Sequence, residues 1–172
     1  MEQIVLVPGL FDSGPTHWQT LWHQQHPDWH RIQHDDWTEP DLPRWRDALL
    51  EVLEQSNQPL TLVAHSFGCL ASLAATQILP EKVRSLFLVA PADPELVGLS
   101  DELFSTPVAK KGRVIASSND HWMSLFRVQH FAHTWQLPIS VLGPLGHINS
   151  DSGHGEWLEG AALLQSHISS LI

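Results

Sequence analysis

Residues 60–79 read LTLVAHSFGCLASLAATQIL, and this stretch decides the fold that the sequence predicts. Residues 60–64 are apolar or β-branched, which is typical of a strand buried in a sheet. Residues 67–79 are rich in leucine and alanine and apolar on almost every side, which favours a buried helix. A serine, Ser66, therefore stands in the turn where a buried strand meets a buried helix.

Strand-like and helix-like segments alternate on either side of this stretch. Strands are predicted at residues 4–7, 29–34, 60–64, 85–90, 113–116 and 139–142, and helices at residues 15–25, 43–55, 67–79, 120–135 and 155–171. Asp41 is placed to cap the second helix. This alternation indicates an α/β protein, a three-layer α/β/α sandwich around a mostly parallel sheet of about six strands. The length suits a single domain over residues 1–172.

Composition narrows the expected partners and location. Nine lysine and arginine residues against nineteen aspartate and glutamate residues give a formal net charge of −10, which argues against binding nucleic acid or an anionic membrane. No run of 18 apolar residues occurs, and residues 1–3 contain no basic side chain, so we expect neither a membrane span nor a signal peptide. Cys69 is the only cysteine, which excludes an intrachain disulfide and fits a cytoplasmic protein.

Twelve histidines raise the question of a metal site. The histidines are spread along the chain, with pairs three residues apart at His23 and His26 and at His130 and His133. Neither an HExxH motif nor an array of cysteine and histidine pairs is present. We therefore expect no metal site and no cofactor.

Ser66 is the candidate nucleophile. A serine in a tight strand–turn–helix junction exposes its hydroxyl, provided that the residues two positions before and after it are small. Here those residues are Ala64 and Gly68. Gly68 would also let the helix approach the strand closely. The alternative is that the Ser66 side chain only caps the helix.

A serine hydroxyl needs a base to remove its proton. In this architecture an acid and then a histidine follow the serine along the chain. A glycine-containing loop after the strand at residues 139–142 holds His147, which is the candidate base. His154, near the start of the last helix, is the alternative.

The acid that orients the histidine should lie at the carboxyl end of another strand, where the loops of a parallel sheet gather. Asp120 follows the strand predicted at residues 113–116 and is the first choice. Asp93, in the loop after the strand at residues 85–90, is the alternative. Asp120 could also cap a helix that begins at His121, either instead of the catalytic role or beside it.

Two backbone N–H groups are candidates for an oxyanion hole. Phe67 lies at a helix N-terminus, where free N–H groups and the helix dipole favour negative charge. Leu10 follows Gly9 in the loop after the first strand, which normally supplies a second donor; the alternative is an ordinary loop whose glycine only shapes the turn. The candidate walls of the substrate pocket are Phe11, His65 and Trp122.

Four groups of residues give the whole chain a resemblance to a known family. They are Pro8-Gly9-Leu10 with Ser13-Gly14-Pro15 and His17-Trp18-Gln19; His65-Ser66-Phe67-Gly68; Ser118-Asn119-Asp120; and Gly146-His147-Ile148-Asn149. With them the chain resembles the compact α/β-hydrolase family of serine hydrolases that includes retinoblastoma-binding protein nine. The resemblance implies a reduced α/β-hydrolase fold without a large lid, and a triad of Ser66, Asp120 and His147. We can assign the stretch at residues 17–19 only to packing near the early loop.

Together these residues predict an esterase-like serine hydrolase. Ser66 would attack the carbonyl of a small ester, thioester or amide, and water would then cleave the acyl-enzyme. The expected partner is therefore a small acylated molecule. A second hypothesis is a module that binds a protein partner on a hydrolase scaffold with little or no turnover. A third is a metal-dependent enzyme that uses some of the histidines.

Overall fold

The computed structural model describes residues 3–172; Met1 and Glu2, which belong to the argument against a signal peptide, lie outside them. The described residues form one sheet of six strands, and all neighbouring strands are parallel. The strands are β1 (Ile4–Val7), β2 (His30–Arg31), β3 (Leu60–His65), β4 (Val83–Val89), β5 (Lys111–Ala116) and β6 (Ile139–Val141). Their order across the sheet is β2-β1-β3-β4-β5-β6, which confirms the predicted α/β class and the strand number.

Five α-helices in residues 3–172 cover the two faces of this sheet. They are α1 (Trp18–Gln25), α2 (Leu42–Gln55), α3 (Phe67–Ile78), α4 (Leu125–Trp135) and α5 (Leu158–Ser169). Successive side chains of a strand point to opposite faces. Accordingly, Val5 and Val7 belong to a buried cluster that includes side chains of α2, α3 and α4, whereas Ile4 and Leu6 belong to a cluster with α1 and α5. The three predicted layers are therefore present. None of the helices described is long and apolar enough to cross a membrane.

Helix α4 begins later than the sequence pattern predicts. The pattern favours a helix from residue 120, whereas the helix starts at Leu125. Ser124 occupies the N-cap position, and its Oγ accepts a hydrogen bond from the backbone N–H of Arg127 at 3.2 Å. Asp120 accepts a hydrogen bond from the backbone N–H of Trp122 at 2.9 Å, in a turn that precedes the helix. Asp120 is therefore not the cap of α4.

The other elements differ less from the predictions. Asp41 caps α2 as predicted, by accepting a hydrogen bond from the backbone N–H of Arg44 at 3.3 Å. Strand β2 is shorter than the predicted residues 29–34. It lies at the edge of the sheet and pairs only with β1, so no ladder constrains the backbone groups on its outer side.

The strand order changes direction at β1, and this places the site. The chain runs from β1 outward to β2 and then crosses to β3 on the other side of β1. Loops that leave the carboxyl ends of strands at such a switch point diverge and form a crevice. Val7 pairs with Ala64. The residues that follow β1 and those that follow β3 therefore start side by side at this crevice.

Gly68 allows a close approach between α3 and the end of β1. A Cβ atom at this position would lie 2.2 Å from the carbonyl oxygen of Val7 and 2.6 Å from that of Pro8. Both oxygens belong to the backbone and cannot rotate away as a flexible side chain would. The missing side chain at residue 68 thus sets the distance between α3 and the loop after β1.

Gly68→Ala should destabilise the fold by about 3 kcal/mol or more, because a methyl group against rigid backbone lies at the costly end of overpacking. Gly14→Ala is the matched control, since a Cβ there would meet no atom within 4 Å. Thermal unfolding followed by circular dichroism should show a much lower Tm for Gly68→Ala alone. Equal Tm values for the two variants would contradict the role of Gly68.

Candidate active site

Ser66 lies at the junction of β3 and α3 in a strained backbone conformation. Its φ of 56° and ψ of −122° are outside the regions that residues other than glycine usually occupy. The side chain makes no capping hydrogen bond to α3. Instead, its Oγ lies 2.8 Å from Nε2 of His147. The Ser66 hydroxyl therefore does not act as a helix cap and faces the imidazole.

The structure brings Ser66, His147 and Asp120 into one hydrogen-bonded chain. Nδ1 of His147 lies 2.9 Å from Oδ2 and 3.0 Å from Oδ1 of Asp120. Because a carboxylate only accepts hydrogen bonds, Nδ1 carries the proton and Nε2 can accept from the Ser66 hydroxyl. The side chains of His147 and Asp120 are only 8% and 4% exposed, so water is largely excluded from this pair.

The two alternative residues are engaged elsewhere. Nδ1 of His154 lies 2.9 Å from Oγ of Ser152. Both carboxylate oxygens of Asp93 accept hydrogen bonds from the guanidinium of Arg127, with Nε donating to Oδ2 at 2.8 Å. Neither His154 nor Asp93 belongs to the hydrogen-bonded chain that contains the predicted nucleophile.

The loop after β1 runs beside the turn that holds Ser66. A Cβ atom on Gly9 would lie 2.9 Å from Cβ of Ser66 and 3.3 Å from the backbone nitrogen of Phe67. Phe67 is the first residue of α3, where backbone N–H groups lack a partner within the helix. Leu10 lines the same cavity as Ser66, and its N–H donates to no other backbone group among residues 3–172. Both N–H groups are therefore available near Ser66.

Buried side chains hold the loop after β1 in place. Nε1 of Trp45 donates a hydrogen bond to the carbonyl of Pro8 at 2.9 Å. The guanidinium of Arg31 binds Oδ1 of Asp12 at 2.7 Å. Phe11 and Asp12 have positive φ values of 64° and 60°, a conformation that costs free energy for residues with a side chain. Contacts with the surrounding structure must therefore compensate this cost.

A cavity of about 320 Å³ opens at Ser66. Its lining includes all three predicted wall residues, Phe11, His65 and Trp122, beside Ser66 and His147. Eight further lining residues were not predicted as pocket walls; they are Asp12, Gly14, His17, Ala92, Val97, Asn149, Ser150 and Asp151. They come from separate loops that meet only at the carboxyl edge of the sheet, so no local sequence signal could have found them as a set.

Two histidines beside His147 stay neutral because the fold buries them. Burial, assisted by the Arg31 guanidinium, lowers the pKa of His17 to about 3. Burial also holds the pKa of His65 well below its usual value, and the neighbouring His17 and His147 rings act in the same direction. At neutral pH neither ring adds a positive charge next to His147.

The histidines around the site contact protein groups. The His65 ring lies 4.8 Å from the His17 ring and 4.8 Å from the His147 ring, measured between centroids. Nδ1 of His17 accepts a hydrogen bond from the backbone N–H of Gln19 at 3.1 Å. Within residues 3–172, no group of three or more histidine, cysteine, aspartate or glutamate side chains is arranged to hold a metal ion.

Known proteins share this architecture. A family model described as serine hydrolase matches residues 4–166. A crystal structure described as a YdeN-like hydrolase from Pectobacterium atrosepticum shares 37% sequence identity with a TM-score of 0.96, over 100% of this chain and 93% of that chain. No curated protein matches the chain.

Two more distant structures share the fold alone. The ydeN gene product of Bacillus subtilis is 21% identical with a TM-score of 0.78, over 98% of this chain and 100% of that chain. Est1E from Butyrivibrio proteoclasticus, solved with ferulic acid bound, is 12% identical with a TM-score of 0.74, over 98% of this chain and 90% of that chain. At these identities the two structures indicate a shared fold and nothing about activity.

The buried His17 should make the stability of the protein depend on pH. The pKa of His17 is about 3 in the folded protein against 6.5 for an ordinary histidine. Between these values the unfolded chain binds a proton that the folded protein does not, so the free energy of unfolding rises with pH through this window and levels off above it. Acidification from pH 7 to pH 5 should cost about 2 kcal/mol through this side chain.

Denaturant unfolding at both pH values, on the wild type and on His17→Asn, measures this dependence. Asparagine retains an acceptor for the backbone N–H of Gln19 but does not titrate. The variant should therefore lose less stability on acidification than the wild type. An equal loss in the two proteins would contradict the assignment.

Proposed function

The chain belongs to the serine hydrolase family, and we propose that it is an esterase-like member that cleaves small ester, thioester or amide substrates through an acyl-enzyme. The observation that carries this proposal is the hydrogen-bonded chain from Asp120 through His147 to Ser66. Nucleophilic catalysis by a serine needs such a base and a group that orients the base. On its sequence motifs we also propose that the chain is one of the compact members that resemble retinoblastoma-binding protein nine.

In the proposed acylation step, the proton of the Ser66 hydroxyl passes to Nε2 of His147 while Oγ bonds to the carbonyl carbon of the substrate. The electron pair of the carbonyl moves onto its oxygen, and the N–H groups of Phe67 and Leu10 stabilise the resulting oxyanion. Asp120 holds the imidazole in place and stabilises its cationic form. When the tetrahedral intermediate collapses, His147 returns the proton to the departing alcohol, thiol or amine.

Water completes the proposed cycle. It adds to the acyl carbon while His147 accepts one of its protons, and the same two N–H groups hold the second oxyanion. Collapse of this intermediate expels Oγ of Ser66, which recovers a proton from His147. A carboxylic acid leaves, and the three side chains return to their starting protonation states.

The cavity favours a small substrate. A volume of about 320 Å³ is at the small end of the usual range for small-molecule sites. Its wall combines apolar side chains, such as Val97 and Trp122, with polar ones, such as Asn149 and Asp151. We therefore expect a small soluble acylated molecule in preference to a lipid aggregate. The single cysteine fits a reaction in the cytoplasm. The net charge of −10 disfavours nucleic acids and anionic membranes as partners.

Ser66→Ala should abolish hydrolysis of p-nitrophenyl acetate and labelling by a fluorophosphonate probe, because both reactions need Oγ of Ser66. Ser72→Ala is the matched control. Ser72 is buried in α3, the helix that begins directly after Ser66, and its hydroxyl donates a hydrogen bond to the carbonyl of Gly68 at 2.8 Å. A spectrophotometric assay and mass spectrometry of the labelled peptide measure both effects.

Full activity in Ser66→Ala would overturn the proposal. The binding-module hypothesis makes a different prediction for the wild type. It expects no reaction with the probe, no turnover, and tight capture of a protein partner.

Asp120→Asn should lower kcat on the order of 1,000- to 10,000-fold, because an amide neither enforces the required tautomer of His147 nor stabilises the imidazolium. Asp93→Asn is the control, since Asp93 pairs with Arg127 and takes no part in the hydrogen bonds that link Asp120, His147 and Ser66. It should lower the Tm and leave kcat per folded molecule close to wild type. Steady-state kinetics with thermal unfolding separate the two cases. The opposite pattern would identify Asp93 as the acid.

A further inference from the structure

Trp18 and His65 hold two consecutive carbonyl groups in the loop that carries His147. Nε1 of Trp18 donates a hydrogen bond to the carbonyl oxygen of Ile148 at 2.9 Å. Nε2 of His65 lies 2.8 Å from the carbonyl oxygen of His147 itself. All four residues are buried, and Trp18 and Ile148 have no exposed surface. Water therefore cannot readily replace either donor.

The direction of the bond between His65 and His147 follows from its chemistry. A carbonyl oxygen only accepts, so Nε2 of His65 carries a proton and donates it to the bond. Burial keeps this ring neutral by lowering its pKa, which leaves Nδ1 without a proton. Neutral His65 therefore donates a hydrogen bond to the backbone carbonyl of His147, and its low pKa keeps it from competing with His147 for the proton of Ser66.

The loop needs such support because its backbone is strained around His147. Gly146 has a φ of 62° and Ile148 a φ of 48°. For a β-branched residue this conformation is a genuine outlier. The carbonyl groups of His147 and Ile148 belong to the two peptide planes that flank Ile148. Hydrogen bonds to both carbonyls therefore resist the rotation that would relieve the strain and displace the imidazole.

The residues on either side of Trp18 fasten its helix to the sheet. Gln19 is fully buried, and its Nε2 donates hydrogen bonds to the carbonyl oxygens of Val7 at 3.3 Å and Val63 at 3.1 Å. His17 caps α1 through Nδ1, and its ring packs edge-on against the ring of His65. The first turn of α1 is thus tied to the ends of β1 and β3.

We propose that Trp18 and His65 are positioning residues for His147. Trp18 is fastened to the sheet through its neighbours His17 and Gln19, and His65 is the last residue of β3. Both act through the backbone of His147 and Ile148, and so keep the imidazole within hydrogen-bond distance of Ser66. The inference rests on the proposed function, since the position of His147 affects turnover only if His147 is the base. It also assigns a role to residues 17–19, for which the sequence alone indicates only packing near the early loop.

Trp18→Phe tests this role with a matched control on the same helix. Trp22 lies one turn later, is 3% exposed, and donates Nε1–H to the carbonyl of Glu156 at 2.9 Å. Trp22→Phe thus removes the same atoms and a similar hydrogen bond, but away from His147. Trp18→Phe should lower kcat on the order of 10- to 100-fold with little change in KM, because a small misplacement of a catalytic group is costly.

Trp22→Phe should lower the Tm by a similar amount and leave kcat close to wild type. A purely structural role for Trp18 would instead change the activity of the two variants equally. That result would overturn the inference.

A pair of substitutions at His65 tests the second donor. Glutamine and methionine have nearly the same length, but only glutamine can donate an N–H to the carbonyl of His147. His65→Met should therefore lose much more kcat than His65→Gln, at comparable Tm values. Equal kcat values in these two variants would overturn the role of His65.

A proton NMR measurement separates this inference from the proposed function. The Nδ1 proton of His147, bonded to the Asp120 carboxylate, should give a strongly deshielded resonance that needs no turnover to observe. Trp18→Phe should shift or broaden it, and Trp22→Phe should not. If the wild type hydrolyses no substrate, the proposed function fails, while this spectral difference still supports the positioning. An unchanged resonance and an unchanged kcat in Trp18→Phe would refute the positioning.

Discussion

The close approach of two backbones, at Gly9 and at Gly68, is the constraint on which the arrangement around Ser66 depends. A Cβ atom at either position would lie within 3 Å of a neighbouring atom, at Cβ of Ser66 in the first case and at the carbonyl oxygen of Val7 in the second. Because these positions lack side chains, the loop after β1 and the start of α3 can lie side by side. The N–H groups next to Ser66 are available for this reason, and the parallel sheet holds the strained turn in place.

Of the three buried histidine rings at the site, only His147 is hydrogen-bonded to a carboxylate that can offset a positive charge. His17 and His65 stay neutral through burial, since their low pKa values make protonation unfavourable near neutral pH. In the proposed mechanism His147 becomes positively charged, and the adjacent carboxylate of Asp120 offsets this charge. The neutral His65 ring also bonds to the carbonyl of His147, and the neutral His17 ring caps the helix that carries Trp18, so electrostatics and positioning share these side chains.

The sequence predicted most of the fold and named the residues that meet at Ser66, because buried strands, apolar helices and tight turns leave local patterns. It favoured Asp120 as the acid but left Asp93 open as an alternative, since both follow a predicted strand in similar loops. The predicted start of α4 at residue 120 was too early. A helical pattern does not show that Ser124 caps the helix and that Asp120 lies in the turn before it.

Local chemistry thus accounts for the alternation of strands and helices, the elbow at Ser66, and the need for glycine beside it. Contacts between distant segments account for the rest. Asp120 and Ser66 meet His147 across 27 and 81 positions of the chain, and Trp18 reaches Ile148 across 130. A periodic pattern reports which face of an element is buried, but hydrogen bonds of this range exist only after the strands have been ordered in the sheet. For that reason the hydroxyl, the imidazole and their supports became one site in the folded chain, and the cavity beside them acquired its walls.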